Sequence, residues 1–148
     1  MIKVLFVCHG NICRSAMAKY MFKDMVKKNN IAHEFEIDSC GTSDEEAGND
    51  IYYLAARCLD RHHIPYDHHV ARKIKKKDFD YYDKIIAMDS YNIRNLKRFC
   101  DSEKIVKLLA KDVADPWYTN DFETCYNDIQ KGLLILLKEY EDAKRIED

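Results

Sequence analysis

An apolar run that leads directly into a helical pattern constrains this fold more than any other feature. Residues 3–7 (KVLFV) show no polar alternation, which is typical of a strand covered on both faces of a parallel sheet. From Arg14 onward apolar residues recur at spacings of four, and Lys19 falls among the polar residues assigned to the solvent face. The sequence therefore predicts a central strand, a loop, and an amphipathic helix ending at Asn29 and Asn30.

The rest of the chain repeats this alternation. Strand patterns occur at residues 34–39, nearer a sheet edge, and at 84–88 and 105–109, while helical patterns occur at 52–59 and 92–99. Residues 120–123 (NDFE) predict a capping box that opens a last helix. We therefore expect a single α/β domain over residues 1–148, with a central four-stranded parallel sheet and helices on both faces. Ligands bind such sheets at the carboxyl ends of the strands.

Charge and hydropathy exclude several classes of protein. The 24 basic and 26 acidic residues give a net charge of −2, which argues against a nucleic-acid partner. No apolar run is long enough for membrane insertion, and the first is shorter than a signal-peptide core, so we expect a cytoplasmic protein.

The cysteines and histidines show no familiar metal pattern. The six cysteines are scattered, without the paired spacings of a zinc site or the density of a secreted scaffold, and are expected to be reduced. Cys58 with His62, His63, His68 and His69 matches no common zinc spacing. The sequence thus predicts no metal and no cofactor.

The loop at residues 8–15 (CHGNICRS) carries the chemistry. Gly10 and Asn11 suit positive φ angles, and the amides of a turn entering a helix form a nest for an oxyanion such as phosphate. The Arg14 guanidinium can hold two phosphate oxygens at once. The same field favours the thiolate form of Cys8 as a nucleophile toward phosphorus, with Ser15 placed to donate a hydrogen bond to the sulfur.

This loop, between a strand and a helix, resembles the signature of the low-molecular-weight protein tyrosine phosphatases. Segments that look like further family landmarks follow in family order, at residues 37–42 (IDSCGT), 69–72 (HVAR), 84–92 and 115–118 (DPWY). The resemblance implies the phosphotyrosine protein phosphatase I-like fold, of flavodoxin-like architecture. It also implies hydrolysis of phosphotyrosine through a phosphocysteine intermediate without a cofactor.

The resemblance assigns a role to each site residue. Asp115 falls at the general acid/base position, where a carboxyl group protonates the leaving tyrosyl oxygen and later deprotonates water. Cys13 matches a second loop cysteine, the redox partner that can form a disulfide with Cys8. The phosphate-binding loop comprises Cys8, His9, Gly10, Asn11, Ile12, Cys13, Arg14 and Ser15. The supporting residues are Asn11, Ser15, Ser39, His69 and Asp89.

Ile12, Glu45, Trp117 and Tyr118 are expected to wall the substrate pocket. Three departures from the family pattern are Ala16 in place of a proline, Glu45 in a region that often carries an aromatic wall, and Trp117 in place of a common tyrosine. Ile12 favours phosphotyrosine, because relatives that act on phosphoarginine tend to carry a threonine there.

Three other functions remain open. A thioredoxin-coupled arsenate reductase shares the fold and loop but needs a closely spaced cysteine pair in the second half of the chain, where Cys100 and Cys125 stand far apart. A protein-arginine phosphatase and a non-catalytic phosphate-binding module are the other two. The expected partners are phosphotyrosine-containing proteins and phosphate or other oxyanions, bound by a monomer.

Overall fold

Four parallel strands form the centre of the molecule in the computed structural model, which describes residues 1–147. They are β1 (Ile2–Cys8), β2 (Phe35–Gly41), β3 (Lys84–Ala87) and β4 (Ile105–Lys107). Their order across the sheet is β2-β1-β3-β4, and all three pairings are parallel. The predicted four-stranded parallel sheet is confirmed, with β1 in its centre and β2 at an edge.

Helices connect successive strands and cover both faces of the sheet. They are α1 (Arg14–Lys28), α2 (Tyr53–Arg61), α3 (Lys76–Tyr81), α4 (Ser90–Phe99), α5 (Pro116–Thr119) and α6 (Phe122–Glu147), with a 3₁₀ turn at Ala32–Glu34. Within residues 1–147, no helix has both the length and the apolar character required to cross a membrane.

The alternation of side chains along β1 separates two hydrophobic cores. Val4 and Phe6 face the larger core, to which α1, α2 and α6 contribute. Leu5 and Val7 face a smaller core shared with α3 and α4. All four side chains are fully buried, which explains why the strand shows no polar alternation.

The starts of α4 and α6 differ from the sequence prediction because of local hydrogen bonds. α4 begins at Ser90 because the Asp89 carboxylate accepts a hydrogen bond from the Asn92 amide. The capping box predicted for α6 is wrong. The Asp121 carboxylate accepts from the Thr124 amide, whereas the Glu123 side chain extends toward α2.

Candidate active site

The loop between β1 and α1 lies at the carboxyl edge of the sheet, as predicted. Asn11 has a φ of 64°, so the expectation for this residue is confirmed. The expectation for Gly10 is wrong, because Gly10 lies outside the left-handed region. Glycine is favoured at this position by its small size, because a Cβ would lie only 3.2 Å from Glu46 Cγ.

The Cys8 thiol is buried beside a hydroxyl group. Cys8 Sγ lies 3.0 Å from Ser15 Oγ, and Ser15 Oγ accepts a hydrogen bond of 2.9 Å from Asn11 Nδ2. The Cys40 carbonyl is the other acceptor within reach of Ser15 Oγ, at 3.3 Å. Because Ser15 has a single proton and the sulfur is nearer, the Ser15 hydroxyl can donate a hydrogen bond to Cys8 Sγ.

Asn11 holds the loop in shape through its whole amide group. Besides the bond to Ser15, Nδ2 donates to Ser39 Oγ at 2.9 Å, and Oδ1 accepts from the Arg72 amide at 3.2 Å. Asn11 is fully buried, so each lost bond would leave a polar group without water to replace it. The loop conformation is therefore fixed before any ligand arrives.

His69 supports the loop from behind and is itself oriented by a lysine. His69 Nε2 lies 2.6 Å from the Asn11 carbonyl and must donate to it, so Nδ1 is the acceptor for Lys19 Nζ, also at 2.6 Å. Burial, together with the Lys19 charge, lowers the pKa of His69 and favours this neutral form. Burial likewise lowers the pKa of Lys19.

Lys19 supports the site, although the helical pattern assigned it to the solvent face of α1. It is buried, and the expectation that it faces solvent is wrong because α1 is covered on almost every side. Its position four residues after Ser15 was the available signal, since residues at this spacing share one face of a helix. Arg72, whose amide contacts Asn11, was likewise not assigned a role.

The Arg14 guanidinium is buried between two carboxylates. Nη1 donates to Asp89 Oδ2 at 2.6 Å and to the Val113 carbonyl at 2.9 Å, while Nη2 lies 3.4 Å from Asp115 Oδ2. Burial opposes the charge of Arg14, yet its pKa is raised because Cys8, Asp89 and Asp115 together favour the cation. The guanidinium therefore stays charged beside the sulfur.

Asp115 is placed by the start of α5. Its Oδ1 accepts a hydrogen bond from the Trp117 amide at 3.0 Å, and Pro116 occupies the first helical position. This cap fixes one carboxylate oxygen and leaves Oδ2 near Arg14 and the loop. Asp115 is partly exposed, so water can reach its carboxyl group.

Cys13 is buried at the N-terminal end of α1. Burial, followed by the nearby Cys8 and Asp115, raises the pKa of Cys13 well above its usual range. Cys13 is therefore a neutral thiol at physiological pH, whereas a nucleophilic cysteine reacts as the thiolate.

One cavity of about 170 Å³ brings the predicted catalytic residues together. Its walls are formed by Cys8, His9, Gly10, Ile12, Cys13, Arg14, Glu45, Glu46, Asp115, Trp117 and Tyr118. All four residues predicted for the pocket wall are included. Ser39, His69 and Asp89 lie behind the loop and contact its residues. Glu46 also lines the cavity, although no motif in the sequence pointed to it.

The rim of this cavity is far more exposed than its floor. Trp117 is 52% and Tyr118 84% exposed, although the Trp117 ring packs edge-on against Tyr52 at 4.9 Å. His9 Nε2 lies 3.4 Å from Glu45 Oε2 at the mouth. An aromatic and acidic rim thus surrounds a floor that contains the buried Arg14 guanidinium.

Comparison with known proteins adds a family to this geometry. Residues 3–145 match the family model described as low molecular weight phosphotyrosine protein phosphatase. A human protein of the same description is 43% identical in an alignment covering 83% of this chain and 85% of its own. The low molecular weight protein-tyrosine-phosphatase YfkJ of Bacillus subtilis is 36% identical over 99% of this chain and 100% of its own.

Solved structures agree. The crystal structure of YfkJ superimposes with a TM-score of 0.93 at 37% identity, covering 97% of each chain. A drosophila arginine phosphatase superimposes with a TM-score of 0.88 at 29% identity, covering 94% of this chain and 98% of its own. Proteins described as phosphotyrosine phosphatases and a protein described as an arginine phosphatase therefore share this architecture.

Proposed function

Because the chain belongs to the low molecular weight phosphotyrosine protein phosphatase family, we propose that it hydrolyses phosphotyrosine in proteins through a phosphocysteine intermediate. The observation that carries the mechanism is the convergence of Cys8, Arg14 and Asp115 on one cavity. The chain is a hydrolase of the protein-tyrosine phosphatase class. The residue roles described next are the proposal.

The first step is attack of the Cys8 sulfur on phosphorus. The phosphoryl group binds over the loop, where backbone amides and Arg14 match its equatorial oxygens. Ser15, 3.0 Å from the sulfur, donates a hydrogen bond that stabilises the thiolate first as nucleophile and later as leaving group. The new sulfur–phosphorus bond forms as the bond from phosphorus to the tyrosyl oxygen breaks.

Asp115 serves both halves of the reaction. Its carboxyl group donates a proton to the departing tyrosyl oxygen, and the resulting carboxylate then takes a proton from the water that attacks the phosphocysteine. Hydrolysis releases inorganic phosphate and restores the Cys8 thiolate. The cap at the Trp117 amide supports this role, because it holds the carboxylate at the cavity without enclosing it.

The walls of the cavity favour an aromatic substrate. Ile12 is apolar and buried, and Trp117 and Tyr118 flank the opening beside Asp115. A phenyl ring packed between such side chains loses apolar surface to the protein while its phosphate reaches the loop. The structural similarity to an arginine phosphatase makes phosphoarginine the second candidate substrate.

The cellular context of the proposal follows from its nucleophile. Cys8 can attack phosphorus only while its sulfur is reduced, a state that the cytoplasm maintains, so we place the enzyme among cytoplasmic phosphoproteins. Every residue that lines the cavity belongs to this one chain, and we propose that residues 1–148 form one domain that acts as a monomer.

The decisive experiment measures phosphate release from a phosphotyrosine peptide in the presence of a metal chelator. Wild type should release phosphate, Cys8→Ser should release none, and Cys100→Ser, a matched change at a half-buried cysteine outside the cavity, should retain wild-type rates. Acid-quenched wild type should carry label from a ³²P-peptide on Cys8.

Two results would contradict the proposal. Turnover by Cys8→Ser would exclude the cysteine mechanism, and faster release from a phosphoarginine peptide than from a phosphotyrosine peptide would transfer the substrate assignment. Retention of label by Cys8→Ser would place the covalent intermediate on another residue.

A further inference from the structure

A second cluster of chemically reactive side chains lies outside the phosphate cavity, where α2 packs against the start of α6. Cys58 and His62 are four residues apart at the end of α2, and Glu123 faces them from the first turn of α6. The three potential ligand atoms, one from each residue, all lie within 4.8 Å of one another. None of the three side chains lines the phosphate cavity.

The spacing of these atoms is close to that of a metal coordination shell. Cys58 Sγ lies 3.7 Å and His62 Nε2 2.6 Å from the nearest oxygens of Glu123. With Zn–S near 2.3 Å and Zn–N or Zn–O near 2.0 Å, ligand atoms on a tetrahedral zinc are separated by roughly 3.3–3.6 Å. Side-chain movements of about an ångström would therefore convert the cluster into three corners of a tetrahedron.

The three ligand types suit one class of ion. A thiolate, an imidazole and a carboxylate together favour borderline-soft divalent transition metals over Mg²⁺ or Ca²⁺, which prefer oxygen alone. Three protein ligands leave the fourth position to water. The His62 ring stacks on Tyr126 with centroids 3.7 Å apart, so one ligand is already held in orientation by packing.

The ligands also combine a buried anchor with access from solvent. Cys58 is fully buried, whereas the side chains of His62 and Glu123 are 30% and 46% exposed. An ion arriving from solvent would meet the imidazole and carboxylate before it reached the sulfur. We propose that Cys58, His62 and Glu123 form a binding site for Zn²⁺ or a similar divalent transition ion.

Binding requires a defined exchange of partners. The Cys58 S–H bond breaks and its proton passes to water as the sulfur–metal bond forms. The His62 ring exchanges its Nε2 proton, which donates to Glu123 in the metal-free cluster, for a proton on Nδ1 through water, so that Nε2 has a lone pair for the ion. Burial and the Glu123 charge raise the pKa of Cys58 to about 11, so the metal-free site contains the neutral thiol. Arg61, whose Nε donates to Glu123 Oε1 at 2.7 Å, is the resident cation that the ion must displace.

Titration of the metal-free protein with Co²⁺ and Zn²⁺ tests the proposal. The experiment uses a background with both Cys8→Ser and Cys13→Ser, so that neither sulfur of the phosphate cavity can contribute. Co²⁺ should produce a thiolate-to-metal charge-transfer band, and calorimetry should show one equivalent of Zn²⁺ bound. His62→Gln and Cys58→Ala should each weaken binding by about 10-fold or more.

Arg61→Gln provides a prediction of the opposite sign. Removing the competing guanidinium should tighten Zn²⁺ binding, whereas a purely structural role for the cluster predicts no gain. Two variants serve as matched controls. His68→Gln removes an exposed histidine that pairs with a carboxylate, Asp50 at 3.1 Å, outside the cluster of Cys58, His62 and Glu123. Cys100→Ala removes a cysteine outside that cluster. Both should bind Zn²⁺ as the parent does.

Several outcomes would overturn the site. These are the absence of a charge-transfer band, undiminished affinity in His62→Gln, or equal losses in His68→Gln and His62→Gln. His62→Gln changes a partly exposed residue and therefore decides the matter even where Cys58→Ala, at a fully buried position, disturbs folding.

Discussion

The floor and the rim of the phosphate cavity are built in opposite ways. On the floor, Cys8, Asn11, Arg14 and Ser15 are buried, and each has a polar partner on the protein. On the rim, Glu45 and Tyr118 are largely exposed. Hydrogen bonds between buried side chains thus hold the reacting atoms in place, whereas the exposed side chains of the rim are held by few contacts.

This contrast separates rate from recognition. Groups that stabilise a transition state are effective when they are fixed in advance, because no reorganisation is then required during the reaction. Groups that contact the rest of a substrate can adapt to different partners. We therefore expect changes on the floor to reduce kcat or stability, and changes on the rim to alter KM.

After Cys8→Ser, the largest expected effect belongs to Asp115→Asn. This change removes the acid but keeps a side-chain oxygen that can accept the hydrogen bond from the Trp117 amide. The kcat/KM for a phenyl phosphate, which covers the steps up to departure of the leaving group, should fall by about 10²- to 10⁴-fold, the usual contribution of a general acid. The loss should shrink for aryl phosphates whose leaving group needs no proton. Asp112→Asn, at an exposed carboxylate paired with Lys107, should remain near wild type. An equal loss for all leaving groups would contradict the assignment.

Asn11→Ala tests the network on the floor. Removing the side chain leaves several buried groups without partners and places alanine at a φ of 64°, so the free energy of unfolding should fall by about 3 kcal/mol. Asn120→Ala is the matched control, because Asn120 has a φ of 60° but is exposed. The difference between the two variants, measured by denaturant unfolding, isolates the network. Equal losses would show that only backbone strain matters.

His69 provides a pH test of the same floor. Its pKa in the folded state is lowered by burial and Lys19, so its contribution to stability is complete above the unfolded pKa of about 6.5. That contribution is lost as the pH falls through this value toward the lowered folded pKa. His69→Gln should therefore flatten the decline of the melting temperature on the acid side. An unaltered slope in His69→Gln would contradict the buried neutral form.

The smallest expected effect belongs to the rim. Tyr118→Ala should raise KM for a phosphotyrosine peptide by about 2- to 10-fold, corresponding to the loss of one aromatic contact, with kcat within about two-fold of wild type. Steady-state kinetics on one peptide measures both constants. A fall in kcat as large as the rise in KM would remove the distinction between rim and floor.

The sequence predicted the floor well because most of the floor is contiguous. A strand, a loop and a helix start within residues 3–15 determine where Cys8, Arg14 and Ser15 lie relative to the sheet. The φ of Asn11 follows from the same short segment. The central place of β1 follows from its lack of polar alternation and the edge place of β2 from its alternation, whereas the apolar patterns of β3 and β4 did not determine their places in the sheet.

Residues that reach the site through tertiary contacts were harder to predict. Periodicity assigns faces to a helix but does not reveal that a buried histidine will need Lys19 as a partner. Glu123 illustrates the same limit, because its local sequence predicts a capping role while its carboxylate contacts Arg61 and His62, more than sixty residues earlier. Local sequence identifies local hydrogen bonds, and the competing long-range ones appear only in the folded chain.

The partners of Arg14 have a consequence for the newly made protein. Its guanidinium donates to Asp89 and to the carbonyl of Val113, 75 and 99 residues further along the chain. A buried arginine without partners is strongly unfavourable, so the loop cannot settle while those residues are still inside the ribosome. The nucleophile is synthesised among the first residues, whereas the groups that hold Arg14 come from the second half of the chain, so the completed loop depends on contacts made late in synthesis.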